Sequence, residues 1–130
     1  MNGRDLSCVS DKQLVELFEH IAIEMSKCEL TVKYNRLASE LEHIWDTLHS
    51  RGHDATRKLL PLLSHANRRV RYWTAAMCHD DAPTECNQAL RELTKERHPG
   101  VAMHAELLLM ERDPKFREEF SKHSNRRYGC

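Results

Sequence analysis

The stretch LLPLLSHANRRVRYWTAAM, from Leu59 to Met77, decides the fold class of this 130-residue chain. A leucine-rich segment is followed by a polar turn and then by a segment whose apolar residues recur at three- and four-residue steps. Asn67 is a favourable N-cap for the second segment, because its side-chain oxygen can accept hydrogen bonds from free backbone N–H groups one turn later. The stretch therefore predicts a helix, a turn and a second helix.

The pattern of the opening stretch returns 31 positions later. Leu59, Leu62, Asn67, Val70 and Thr74 correspond to Leu90, Leu93, His98, Val101 and Ala105. Repeated helix pairs are typical of arrays in which each pair buries its apolar face against the next one. We therefore predict an all-α fold, a short α-solenoid of about three antiparallel helix pairs with roughly six to seven helices.

Capping signals indicate where the helices begin. Ser10 with Gln13 forms a capping box that opens the first helix at residue 11, and Gly52 is suited to end the second. Asp54 is the predicted cap of a helix that contains Pro61. The predicted helices after the first cover residues 32–51, 55–64, 68–79 and 84–95, a helix opened by His98 and Pro99, and 114–122 behind the cap Asp113.

Composition narrows the function classes. Lys plus Arg and Asp plus Glu number 20 each, so no global field attracts nucleic acid or an anionic membrane. The longest apolar run, Leu107 to Met110, is far too short to span a bilayer, and the N-terminus lacks a signal-peptide core. Five cysteines without a C-x-x-C pair indicate reduced thiols, with Cys8 and Cys130 near the ends and exposed. We expect a cytoplasmic protein with one domain over 11–122, a flexible arm over 1–10 and a disordered tail over 123–130.

At residues 59–76 the sequence resembles a HEAT repeat of the HEAT/armadillo class. The likeness is carried by Pro61 in the first helix, Asn67 in the turn, and Val70, Arg71 and Ala75 in the second helix. With KYNRLASELEHIWDTLHSRG upstream and HPGVAMHAELLLM downstream, the chain is similar to a small bacterial family of HEAT-like domains of unknown function. That resemblance covers about residues 11–112, and it implies a helical fold without implying an activity.

Signals for catalysis and metal binding are weak. Cys78, His79, Asp80 and Cys86 form the nearest metal-ligand cluster, but the spacing matches no zinc motif, so we predict no metal and no cofactor. There is no phosphate-binding glycine loop and no nucleophile motif. A glycosylase-like site would need an Asp beside aromatics, for which Asp46 next to Trp45 is the candidate. We therefore expect a protein that is not an enzyme.

The candidate binding site is a basic and aromatic patch in the opening stretch. It consists of Arg68, Arg69, Arg71, Tyr72 and Trp73, with Arg57 and Lys58 nearby. Cations in the first turn of a helix oppose its dipole, which indicates that Arg68 and Arg69 serve a partner. The plainer alternative is a solvated face in which Arg71 pairs with an acidic neighbour.

The resulting prediction is a non-catalytic, helical-repeat protein-binding module with an adaptor, regulator or immunity-type inhibitor role. The alternative is a nucleic-acid-binding protein that uses the patch at residues 68–71, and a metal-dependent or glycosylase-like enzyme ranks third. We expect a monomer or weak dimer. The stripe Tyr34, Leu37, Leu41, Ile44, Trp45 and Leu48 is predicted to pack in the core, with a dimer seam as the alternative.

Overall fold

The computed structural model describes residues 5–28, 30–96 and 99–127, with the side chains of Pro99 and 123–127 left out. These residues form helices and no strand, which confirms the all-α prediction. The α-helices are α1 (Asp11–Lys27), α2 (Thr31–Ser50), α3 (His53–Thr56), α4 (Arg68–Met77), α5 (Pro83–Leu93), α6 (Pro99–Arg112) and α7 (Pro114–Arg127), and a 3-10 helix (Arg57–Ser64) follows α3. The predictions for His98 and Cys130 lie outside the described residues.

Local capping starts α1 and α4 where the sequence predicts. The Ser10 hydroxyl accepts a hydrogen bond from the Gln13 N–H at 3.2 Å, and the Gln13 side chain accepts one from the Ser10 N–H at 3.3 Å. Asn67 Oδ1 accepts from the N–H groups of Arg69 at 2.8 Å and Val70 at 3.3 Å. Each cap satisfies backbone donors that the first turn leaves without helical partners.

The predicted helix over 55–64 is wrong in its start and in its type. Asp54 does not cap it: Asp54 lies inside α3, whose N-cap is Gly52. Gly52 has φ of 111°, a conformation that a Cβ would strain, so it ends α2 as predicted and starts α3 directly. Residues 57–64 are 3-10 helix around Pro61. Proline lacks an N–H and clashes with the carbonyl four residues earlier, which disfavours a regular α-helix there.

One hydrophobic core joins the helices. Helix α1 packs on α2, α4 and the 3-10 helix, while α5 packs between α4 and α6, and α6 carries α7. The bulkiest fully buried side chains include Leu14, Phe18, Met25, Leu41, Leu48, Leu59, Leu90, Leu93 and Leu109. Four stripe residues of α2, Leu37, Leu41, Ile44 and Leu48, are buried within the chain, as the core-packing prediction requires.

Matched positions of the internal repeat are buried in both copies. They are Leu59, Leu62, Val70 and Thr74 in the first copy and Leu90, Leu93, Val101 and Ala105 in the second. In α4, Val70, Thr74 and Ala75 are buried, whereas Trp73 and Met77 are only half-buried. The stacked solenoid remains a prediction.

The predicted flexible arm over 1–10 and disordered tail over 123–130 stay predictions, and residues 1–4 and 128–130 lie outside the described ranges. Leu6 is buried, and Arg51 Nη2 donates to the carbonyl oxygens of Leu6 at 3.0 Å and Ser7 at 3.2 Å. At the other end α7 continues to Arg127, past the predicted end of the domain at residue 122. Within residues 5–28, 30–96 and 99–127, no helix combines the length and apolar content that crossing a membrane requires.

Candidate functional site

The arginines of the predicted basic patch lie in two different environments in the structure. Arg71 Nη2 donates to Glu96 Oε1 at 2.9 Å, and Arg68 Nε lies 3.7 Å from the same oxygen. The hydrogen bond from Arg71 is the main reason that the pKa of Glu96 lies below its ordinary value. Two of the three predicted arginines therefore share one carboxylate, as the solvated-face alternative expects for Arg71.

Arg69 lies apart from this pair, among aromatic side chains. Its guanidinium carbon is 5.8 Å from the ring centre of Tyr34 and 5.9 Å from that of Tyr72, within the range of a cation–π contact. Arg69 Nη1 donates to the Tyr34 hydroxyl at 3.3 Å and lies 3.5 Å from His104 Nδ1. Among the described residues no carboxylate oxygen lies within 4.0 Å of the Arg69 nitrogens. The cation is held in place without an acidic partner there.

The protonation of the neighbours follows from their positions. Burial, and secondarily the charge of Arg69, lowers the pKa of His104, so the imidazole is neutral at pH 7. Guanidinium groups only donate hydrogen bonds, so His104 Nδ1 is the acceptor and its proton resides on Nε2. Burial raises the pKa of Tyr72, which keeps its phenol neutral. Arg69 thus carries the one formal charge of the cluster Tyr34, Arg69, Tyr72 and His104.

An open groove of about 440 Å³ begins at this cluster and follows α6. Its lining residues are Tyr72, His104, Leu107, Leu108, Met110 and Glu111. Leu107 is 56% exposed and Met103, one turn earlier, is 53% exposed. The opposite side of α6 places Val101, Ala105 and Leu109 in the core. Helix α6 is therefore apolar on two sides, and the described residues cover one of them. We call this surface, with the cluster at its end, the α6 groove.

Trp73 and Tyr72, the aromatic residues of the predicted site, meet edge to face with ring centres 5.5 Å apart. Trp73 is half-buried, and its indole N–H has no hydrogen-bond partner in the described part of the molecule. Of the five predicted site residues, Arg69 and Tyr72 therefore contribute to the α6 groove. Trp73 packs edge to face on Tyr72, and Arg68 and Arg71 face Glu96.

The sequence reasoning missed Tyr34, His104 and Leu107 as site residues. One signal for Leu107 was present in the apolar run over residues 107–110. Successive helical residues are about 100° apart, so four in a row cannot all face one core. Tyr34 and His104 gave no such signal, because the 31-residue repeat matches Arg69 with Gly100 and not with His104.

The alternative metal and catalytic residues do not converge. Cys78 and Cys86 are fully buried, and burial raises the pKa of their thiols to about 12 and about 11. The Asp80 carboxylate is 99% exposed, on the outside of the same turn. No group of three or more His, Cys, Asp or Glu side chains is arranged to hold a metal ion within the described ranges. Asp46 is exposed, and the neighbouring Trp45 ring stacks on His49 at 4.6 Å.

The fold and the groove define a small all-α domain with one uncovered apolar helix face beside a fixed arginine. The chain belongs to the family described as "Domain of unknown function (DUF2019)", whose model matches residues 12–113. That span agrees with the resemblance to a bacterial family of unknown function over about residues 11–112. The likeness to HEAT repeats themselves stays a prediction.

A solved relative supports the helical fold. The crystal structure of the protein RPA1889 from Rhodopseudomonas palustris CGA009 is similar to this chain with a TM-score of 0.76 and 27% sequence identity. The matched region covers 82% of this chain and 90% of that chain. A comparison with curated proteins found no match.

Proposed function

We propose that this protein is a non-catalytic protein-binding module and that the α6 groove is its binding surface. The observation that carries the proposal is the uncovered apolar side of α6, where Met103 and Leu107 remain more than half exposed. Exposed leucine and methionine side chains next to Tyr72 and a fixed Arg69 match the composition of protein interfaces, which favour aromatic residues, Met and Arg.

The proposed fold behind this function is a stack of helix pairs, as in HEAT-like repeats. Support comes from direct packing between helices that are not consecutive in the chain. Helix α1 packs on α4, and α4 packs on α6. Further support comes from Arg69 on α4, which contacts Tyr34 on α2 and His104 on α6, so the second helices of successive pairs meet at one residue. Stacked helix pairs create extended binding surfaces.

An adaptor, a regulator and an immunity-type inhibitor would each use such a surface to hold one partner protein. A cytoplasmic location and a monomeric or weakly dimeric state remain predictions from the sequence.

Nucleic-acid binding is the weaker candidate. Arg68 and Arg71 are partly neutralised by Glu96, so within the described residues Arg69 is the one arginine of the patch without a carboxylate partner, and a single cation contributes little to phosphate binding. If nucleic acid were the partner, binding to a generic duplex would weaken steeply with salt because phosphate contacts release counterions. We expect no binding of a labelled duplex even at low salt, measured by fluorescence polarisation. Tight, salt-sensitive binding would favour the nucleic-acid function over our proposal.

The protein-binding proposal is tested by blocking the groove. Tagged protein is cross-linked in the producing cells and purified as the wild type, as Leu107→Asp and as the control Val32→Asp. Val32 is 84% exposed at the start of α2 and does not line the α6 groove, so it matches Leu107 as an exposed apolar residue. We expect the wild type and Val32→Asp to retain the same cross-linked protein and Leu107→Asp to lose it. Retention by Leu107→Asp, with unchanged circular dichroism, would remove the groove as the binding surface.

A further inference from the structure

The two ends of the α6 groove carry opposite charge. Arg69 lies beside His104, which lines the groove, and Glu111 lines the groove seven positions later on α6. Seven positions of an α-helix separate His104 from Glu111, a distance of about 10 Å at 1.5 Å per residue. Within the described residues, no Lys, Arg or His nitrogen lies within 4.0 Å of the Glu111 carboxylate. Neither charge therefore has an ion-pair partner in the part of the chain that the structure describes.

The end at Arg69 is rich in hydrogen-bond donors. The Tyr34 oxygen accepts from Arg69, so its own O–H is left to donate. His104 accepts at Nδ1, so its Nε2–H is left to donate. The remaining N–H groups of the Arg69 guanidinium add further donors. A carboxylate, which only accepts, complements this end.

The middle of the groove is apolar. Leu107 and Leu108 lie three and four positions after His104 and three to four positions before Glu111. A helix lying along α6 presents one stripe at i, i+3, i+4 and i+7, with the same spacing. An extended segment rises about 3.3 Å per residue and would cross the groove in roughly three residues, which leaves room for one apolar contact between its charged ends.

Resting on the proposed function, we infer that the α6 groove receives one amphipathic helix of a partner protein. That helix carries an acidic residue and a basic residue seven positions apart, with apolar residues on the turn between them. The acidic side chain pairs with Arg69, the apolar side chains cover Leu107 and Leu108, and the basic side chain pairs with Glu111. The partner is recognised by charge at both ends and by burial in the middle.

The probe is a stapled helical peptide on an alanine and glutamine background, with Glu at i, Leu at i+3 and i+4, and Arg at i+7. Two matched peptides accompany it, one with Gln at both charged positions and one with Pro between the leucines and the arginine. Binding to the full chain is measured by fluorescence polarisation. We expect the charged helical peptide to bind on the order of tenfold more tightly than either matched peptide, since each open charge pair and helix formation contribute.

Charge-reversed proteins locate the two ends. Arg69→Glu places an acid in the first turn of α4, where the dipole favours it, and Glu111→Arg changes an exposed residue, so both variants should fold. Each variant is expected to bind the charged peptide about tenfold more weakly and to bind the Gln peptide with unchanged affinity. Glu118→Arg on α7, where Glu118 is 72% exposed, is the control and should leave both peptides unchanged.

Failure of this inference is distinguishable from failure of the proposed function. Equal binding of the charged and Gln peptides, both abolished by Leu107→Asp, overturns the charge pairing but keeps the groove as a docking surface. Equal binding of the Pro peptide overturns the helical partner. No binding of any peptide also overturns the inference, while the comparison of Leu107→Asp with Val32→Asp in cells still decides the function.

Discussion

Two leucines on α6, two positions apart, are predicted to contribute very differently to stability. Leu109 is fully buried, so Leu109→Ala removes core atoms and leaves a cavity, at a cost of about 3 kcal/mol within a usual range of about 2 to 5 kcal/mol. Leu107 is 56% exposed, so less than half of its surface is buried and Leu107→Ala removes few buried atoms. We expect it to cost less than about 1 kcal/mol, because alanine also favours the helix slightly.

Urea unfolding followed by far-ultraviolet circular dichroism measures both changes. The midpoint should fall clearly for Leu109→Ala and little for Leu107→Ala, with the dependence of the free energy of unfolding on urea unchanged in both. A loss of about 3 kcal/mol is a large part of the roughly 5 to 15 kcal/mol that a small domain possesses. If Leu107→Ala cost as much as Leu109→Ala, Leu107 would be covered in the free protein and the groove would not be open to a partner.

Three further predictions follow from caps, thiols and histidine. Asn67→Ala should lower the free energy of unfolding by about 1 kcal/mol, while Asn67→Asp keeps the cap and most of the stability; equal losses in a melt would contradict the capping role. In native protein at pH 8 a maleimide should label the exposed Cys8 and should leave Cys78 and Cys86 unlabelled until urea is added, because burial raises the pKa of these two thiols to about 11 or higher. Peptide mapping by mass spectrometry checks this. Rapid labelling of the buried pair in native protein would contradict it. Burial lowers the pKa of His104 below 6.5 in the folded chain, so the unfolded chain binds the proton first and stability falls as the pH drops below about 6.5. His104→Gln should flatten that part of a plot of urea midpoint against pH. An unchanged slope would contradict this role of His104.

Helix type around Pro61 shows a limit of sequence reasoning. The sequence predicts one helix over 55–64 that contains Pro61, whereas the structure has α3 followed by a 3-10 helix. The choice between α and 3-10 hydrogen bonding at residues 57–64 depends on how far Leu59 and Leu62 must turn to reach the core. Neighbouring helices set that requirement, so the pattern of leucines alone could not decide it.

The predicted binding patch shows a second limit. Arg68, Arg69 and Arg71 look alike in sequence, and the opposition between cations and the helix dipole applies to both residues of the first turn. Glu96, which forms ion pairs with Arg68 and Arg71, is 25 residues from Arg71 in the chain. Only the packing of α4 against its neighbours separates Arg69 from the other two.

The sequence by itself determined the all-α class and several helix starts, because caps such as Ser10 with Gln13 and Asn67 act over three residues or fewer. It also determined most of the core of α2, through apolar spacing on one face. The tertiary structure alone decided the α6 groove. Tyr34 and His104 each lie 35 residues from Arg69, and the contacts among them arise only when α2, α4 and α6 meet. Neighbouring residues determine local hydrogen bonding, whereas a surface shared by three helices depends on how those helices pack.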